Sequence, residues 1–274
     1  MSTTQTAPPD LAAVKAKQRK MWASGDYAAV AARIAVMAED MVQAAGLRAG
    51  DKVLDVAAGS GNAAIAAARC GCAVTATDYV PELLERGRAR AAAEGLEVTW
   101  AEADAEDLPY ADGEFDAVLS SLGVMFAPDQ ERAAAELVRV CRPGGTIALV
   151  NWTPDSFVGG ILQTVGKHVP PPAGDRSPSQ WGTEERLREL LGDAVSDLRI
   201  TRREFVFRFR SPEEFTEFFR DNYGPTLKAF GALDEAGRER LYADLTALAR
   251  EHDQEPGPSV AMPSAYLEVL ATRP

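Results

Sequence analysis

The stretch Val53-Leu-Asp-Val-Ala-Ala-Gly-Ser-Gly-Asn62 constrains this chain more than any other. A short apolar run, Lys52 to Ala57, reads as a buried strand. It leads into two glycines and then an alanine-rich segment, Asn62–Arg69, that reads as a helix. Gly59 and Gly61 allow a tight turn and a close backbone approach to a ligand. The helix start beyond them offers unpaired N–H groups and a partial positive charge. A second strand, Ala73–Asp78, ends in an acid nineteen residues beyond Gly59. That distance suits a carboxylate gripping the two hydroxyls of a ribose. An adenosine-containing ligand on an α/β sheet follows from this one stretch.

The neighbouring sequence repeats the pattern. Pro81 suits the first turn of a helix and Gly95 its end. Val98–Asp104 and Phe115–Leu122 read as the third and fourth strands. Asp129 can cap a helix running to about Cys141, Arg142-Pro-Gly-Gly145 stops it, and Thr146–Trp152 is the fifth strand. Such β-α-β units with short links predict a parallel sheet with helices on both faces.

The flanks differ. Residues 1–10 read as a loose tail, and residues 11–46 as helical with a turn at Trp22–Tyr27. Gly166–Gly182, with its three consecutive prolines, reads as a loop. Thr183 caps a short helix, Leu198–Phe209 alternates as a strand, Ser211–Arg250 is helical, and Tyr266–Ala271 is a final strand. The expected organisation is an N-terminal tail and cap helices over 1–47 and a nucleotide-binding core over 48–152. Residues 153–274 then complete the same domain, with a helical insertion at about 211–252.

Composition narrows the partners. The 274 residues carry 41 acidic and 29 basic side chains, a net charge of −12. Nucleic acids and anionic membrane surfaces are disfavoured, because both are bound by neutralising phosphates with Lys and Arg. No run of 18 apolar residues predicts a membrane span. Met1 to Asp10 lacks the layout of a signal peptide. Cys70, Cys72 and Cys141 are odd in number and show no disulfide or zinc spacing. A cytoplasmic protein is expected, and the surplus of Arg over Lys with abundant Ala hints at a GC-rich bacterial genome.

Gly59-Ser-Gly61-Asn-Ala-Ala64 also satisfies a dinucleotide pattern. Asp55 argues against it. Its charge beside the turn would repel a pyrophosphate but attract a ligand bearing an ammonium and a sulfonium. S-adenosylmethionine (SAM) is such a ligand.

With Asp55-Val-Ala-Ala-Gly-Ser-Gly61, Ala76-Thr-Asp78, Ala103-Asp104-Ala-Glu-Asp-Leu-Pro109 and Arg142-Pro-Gly-Gly145 together, the chain resembles the class I SAM-dependent methyltransferases. The likeness is to the small-molecule branch that includes ubiquinone and menaquinone biosynthesis enzymes, and it is strong over about 20–152. It departs at Ala57, where the family often has Gly. The resemblance implies a Rossmann-like, seven-stranded, mainly parallel sheet with an antiparallel last strand and a helical cap. It implies SAM as cofactor and S-adenosylhomocysteine (SAH) as product. By position it also implies that Ala57, Gly59 and Gly61 line the methionine part of the cofactor and that Asp78 binds the ribose. Tyr79 would pack on adenine, Asp104 with the Ala105 backbone would hold the adenine amino group, and Ser120 and Ser121 would lie near methionine. Each has a structural alternative: Asp55 as a loop cap, Asp78 as a helix cap, the serines as backbone partners.

Methyl transfer from a sulfonium needs alignment more than acid–base chemistry, so no catalytic triad is required. His168, after the fifth strand, is the candidate base. Trp22, Tyr27, Trp152, Trp181 and Tyr223 are candidates for the wall of a small-molecule acceptor pocket, and a core role is the alternative for each. His252 is expected to be solvated. Two other functions stay open on sequence: an NAD(P)-dependent oxidoreductase and a non-catalytic SAM-binding module.

Overall fold

A computed structural model describes residues 11–171, 176–254 and 257–274. The tail expected over 1–10 and the third proline of the 170–172 run lie outside the described residues. The elements in order are α1 Leu11–Trp22, α2 Tyr27–Arg33, α3 Ala35–Ala45, β1 Lys52–Val56, α4 Asn62–Arg69, β2 Ala73–Asp78, α5 Pro81–Ala93, β3 Val98–Glu102 and β4 Phe115–Ser121. They continue with α6 Gln130–Val140, β5 Cys141–Trp152, α7 Phe157–His168, α8 Glu184–Leu191, β6 Asp197–Phe209, α9 Pro212–Asn222, α10 Gly224–Ala232, α11 Glu235–Glu251 and β7 Val260–Thr272.

Seven strands form one sheet in the order β3-β2-β1-β4-β5-β7-β6, with helices on both faces. β1 to β5 run parallel, and β7 is antiparallel to both β5 and β6. This is the Rossmann-like architecture expected. β1 is an interior strand between β2 and β4, and Val53, Leu54 and Val56 are fully buried, as strands covered on both faces require. β6 forms one outer edge.

Helix boundaries follow local chemistry. The Asp129 side chain accepts from the Arg132 N–H at the start of α6, whose buried Ala133, Leu137 and Val140 share one face. Thr183 caps α8 and Asp234 caps α11 in the same way. The expected loop from Gly166 is corrected: α7 runs to His168, because Phe157, Val158, Ile161 and Thr164 bury one helical face, which outweighs Gly166 near its end. The helical run 211–250 divides into three, with Pro225 opening α10 after Tyr223. β7 starts at Val260, ahead of Tyr266, since pairing with β6 continues to Phe209↔Val260. Phe207 and Phe209 face the buried Phe215 and Phe219 of α9. Full burial of a phenylalanine such as Phe215 contributes about 1.5–3 kcal/mol.

Helices α1, α2 and α9 meet over the carboxyl ends of β1, β2 and β4. There Trp22 packs edge-on against Tyr27, Phe126 and Tyr223 at centroid distances of 5.5, 4.8 and 5.7 Å. Among the described residues no helix is long and apolar enough to cross a membrane.

Candidate active site

The carboxyl ends of β1, β2, β3 and β4 open into a cavity of about 560 Å³, covered by α1 and α2. Its floor is the turn after β1. Ala57 adopts φ +53° and Gly59 φ +56°, both left-handed. Leu122, just after β4, is left-handed too at φ +59°. A non-glycine residue in that region costs about 1–3 kcal/mol, and such strain gathers at binding sites. Ala57 stands where the family often has Gly, and it keeps the conformation a glycine would adopt.

The two serines after β4 part ways. Ser121 lines the cavity. Ser120 is fully buried and outside the lining: its hydroxyl donates to the Val56 carbonyl at 2.7 Å and accepts from the Val124 N–H at 3.0 Å. It braces the two loops. Gly61 is likewise outside the lining. A Cβ there would lie 2.4 Å from the ring of Trp100 on β3, so this glycine makes room for a packed indole.

Three expected acids do face the cavity. Asp55 is buried. Its Oδ2 accepts from the Ala64 N–H at 2.8 Å, and its Oδ1 has no partner among the described residues. Burial pushes this carboxyl up to about 7, against the Ala64 hydrogen bond and helped by the charge of Asp78. Asp78 accepts from Gly59 N–H and Val80 N–H, both at 2.9 Å, and burial pushes it up to about 6. Two such bonds leave lone pairs on each oxygen for a ligand. Asp104 accepts from the Glu106 N–H at 2.9 Å and from Lys15 Nζ at 2.6 Å. Tyr79 lines the same end, its hydroxyl 3.4 Å from Gln18 Oε1, and the Ala105 segment lies beside it.

Glu102 and Glu106 bring the lining to five carboxylates. Its cations are Lys15 and Arg19, both already paired with those acids. A buried carboxyl with an open oxygen suits a cationic ligand, whose charge favours its ionised form. A pyrophosphate at the same turn would meet like charge. The residues present therefore fit the ammonium, diol and adenine of SAM and not a dinucleotide.

Much of the remaining lining is apolar or aromatic and includes Trp22, Tyr27, Ala31, Ile34, Leu122 and Phe126. Three expected wall residues, Tyr223, Trp152 and the fully buried Trp181, stand behind or beyond it. Tyr223 backs Trp22 and Tyr27 without reaching the cavity. Trp152 is buried against Phe207 of β6 and Tyr266 of β7, and the backbone at Gly182 packs on its carbonyl. His168 is also outside the lining. α7 carries it along 12 residues, about 18 Å of helix, to pair with Asp244 of α11 at 2.7 Å. His252, expected to be solvated, is half-buried with its ring 5.3 Å from that of Phe157. Sequence reasoning passed over Ile34, Leu122 and Phe126, whose apolar character carries no local signal of a ligand. It also passed over Lys15 and Arg19.

Residues 54–149 match the family model described as a methyltransferase domain. The chain is 47% identical over 255 residues to the uncharacterized protein Rv1403c of Mycobacterium tuberculosis, covering 91% of this chain and 93% of that protein. It is 39% identical over 109 residues to the demethylmenaquinone methyltransferase of Thermus thermophilus, covering 39% of this chain and 50% of that one. Among solved structures it is similar in fold to the phosphoethanolamine N-methyltransferase 2 of Haemonchus contortus in complex with S-adenosyl-L-methionine. The TM-score is 0.55 at 15% identity, over 87% of this chain and 52% of that one.

Proposed function

The chain belongs to the class I SAM-dependent methyltransferase family, and from that premise we propose that it methylates a small, largely apolar acceptor by direct displacement, through alignment rather than acid–base catalysis. Bound SAM supplies a methyl group already activated by its sulfonium. Asp78 accepts hydrogen bonds from the ribose hydroxyls, and Asp104, with the Ala105 backbone and Tyr79, holds the adenine. Asp55 faces the ammonium. Ala57, Gly59 and Ser121 border the methionine part.

The observation that carries the reading is that one cavity combines two kinds of lining. Carboxylates, the orphaned Asp55 oxygen among them, share it with the apolar side chains of Trp22, Tyr27, Ile34 and Phe126. An apolar wall suits an uncharged, flat or aliphatic acceptor, and aromatic faces also stabilise a sulfonium. Among the described lining residues there is no histidine or cysteine. Burial pushes the Tyr27 hydroxyl up to about 12, so it stays protonated near neutrality and acts as a hydrogen-bond donor, not a base. Positioning can contribute about 7–11 kcal/mol to such a reaction.

The test is transfer of labelled methyl from SAM to a panel of apolar phenols, quinols, thiols and amines. Labelled product from an uncharged apolar member supports the reading. Transfer to charged peptides or polar amino compounds alone defeats it.

A further inference from the structure

Helix α1 is attached to the molecule in two different ways. At its C-terminal end the attachment is close backbone packing. A Cβ on Gly224 would lie 2.4 Å from the Met21 carbonyl oxygen, and one on Gly25 would lie 2.6 Å from the Asn222 carbonyl oxygen. The turn after α1 is therefore seated on the α9–α10 junction, and Trp22 is the one residue of α1 that is deeply buried. Further toward the N-terminus the contacts are polar. Lys15, Gln18 and Arg19 share one face at helical spacing. Lys15 Nζ lies 2.6 Å from Asp104 Oδ2 and 2.5 Å from Glu106 Oε2, and Arg19 lies 2.5 Å from Glu102 Oε1. The Tyr79 hydroxyl lies 3.4 Å from Gln18. Every one of these partners lines the cofactor cavity, at the end assigned to adenine.

We propose that α1 is a strap pivoting on its packed C-terminal turn, that Lys15 latches it to Asp104 and Glu106, and that unlatching it gates exchange of the cofactor. The inference rests on the reading of Asp104 as the adenine-side acid. Partly exposed ion pairs are individually weak and salt-sensitive, which suits a contact that must open at each turnover. The anchor at Gly25 and Gly224 has no such dependence. Opening therefore exposes the adenine end while Trp22 keeps the acceptor wall in place.

The experiment follows SAH association and dissociation by stopped-flow tryptophan fluorescence in the full chain, for wild type, Lys15→Met and Lys15→Arg. Lys15→Met is expected to speed both association and dissociation about 3- to 30-fold, the span for losing two partly exposed ion pairs. The dissociation constant then changes little. Lys15→Arg restores slow exchange. Raising salt to about 0.5 M, where screening is strong, speeds wild type more than Lys15→Met, which keeps only the Arg19–Glu102 pair. Faster dissociation with unchanged association would make Lys15 an ordinary ligand contact and overturn the gate, as would unchanged rates in both directions. Absence of SAH binding in wild type would instead overturn the cofactor reading beneath it.

Discussion

Gly123 stands so close to Ala57 that a Cβ on it would lie 2.2 Å from the Ala57 carbonyl oxygen and 2.8 Å from the Ala57 Cβ. The turn after β1 and the turn after β4 touch backbone to backbone, and the cavity floor depends on that contact. Gly123→Ala is expected to cost about 1–3 kcal/mol, as overpacking does, and to weaken SAM binding as the floor shifts. Urea denaturation and titration calorimetry read the two effects. Ala57→Gly runs the other way: relief of left-handed strain, about 1–2 kcal/mol, outweighs the added chain entropy of glycine, about 0.5–1 kcal/mol. Its midpoint in urea should rise or stay level. A clear fall would mean that the Ala57 methyl packs usefully.

Asp78→Ala removes a charged acceptor from the ribose end. Hydrogen bonds to charged groups contribute about 1.5–3 kcal/mol, so SAM affinity should fall roughly 10- to 150-fold. Asp78 also holds the Gly59 N–H, so its amide exchange with solvent should quicken in the variant. Calorimetry showing an unchanged dissociation constant would remove Asp78 from the site.

The buried acids set a pH dependence. Asp55 and Asp78 hold their protons to about 7 and about 6 in the folded chain, against an ordinary value of 3.8. The folded state therefore binds more protons than the unfolded state across that interval. Stability of the ligand-free protein should decline as pH climbs from about 4 through about 7. A cationic cofactor prefers both carboxylates charged. SAM affinity should rise over the same interval and level off above about pH 8, with protons released on binding. Calorimetry in two buffers of different ionisation enthalpy measures that release, and a pH-independent affinity with none would count against Asp55 facing the ammonium.

His168→Ala removes a partner of Asp244 on α11 and leaves the cavity untouched. SAM affinity should be unchanged, and methyl transfer should fall by no more than about 10²-fold, the low end for acid–base catalysis. A loss near 10⁴-fold with normal SAM binding would make it an obligate base. Trp152→Ala should act through stability, at about 3–5 kcal/mol for a buried tryptophan. A selective rise in acceptor KM with an unchanged unfolding midpoint would return Trp152 to the pocket.

Local features were the legible ones. The strand, the turn of Gly59 and the acid at Asp78 lie within one β-α-β unit, so spacing alone brings them together. The buried strands declared themselves as apolar runs. What escaped depends on partners distant in the chain. Gly61 answers to Trp100, a side chain from another strand. His168 follows the fifth strand in sequence, but a full helix separates it from the strand's end. Lys15 finds Asp104 across 89 residues, and a lysine on a polar helix face carries no mark of that meeting. Tyr223 was placed in the right cluster but one layer too near the ligand, because ring packing orders aromatics in depth and sequence spacing does not.

The outer position of β6 bears on how the protein avoids misassembly. A strand of 13 residues at a sheet's border exposes a long row of unpaired backbone groups, a template on which a second copy could extend the sheet. Arg199, Arg202, Arg203 and Arg208 stand exposed along it, Arg202 paired with Asp155 and Arg203 with Glu268. Charged side chains of both signs, Asp197 and Glu204 as well as the arginines, line this border, and burying them against a second copy would strip their hydration, which opposes extension of the sheet.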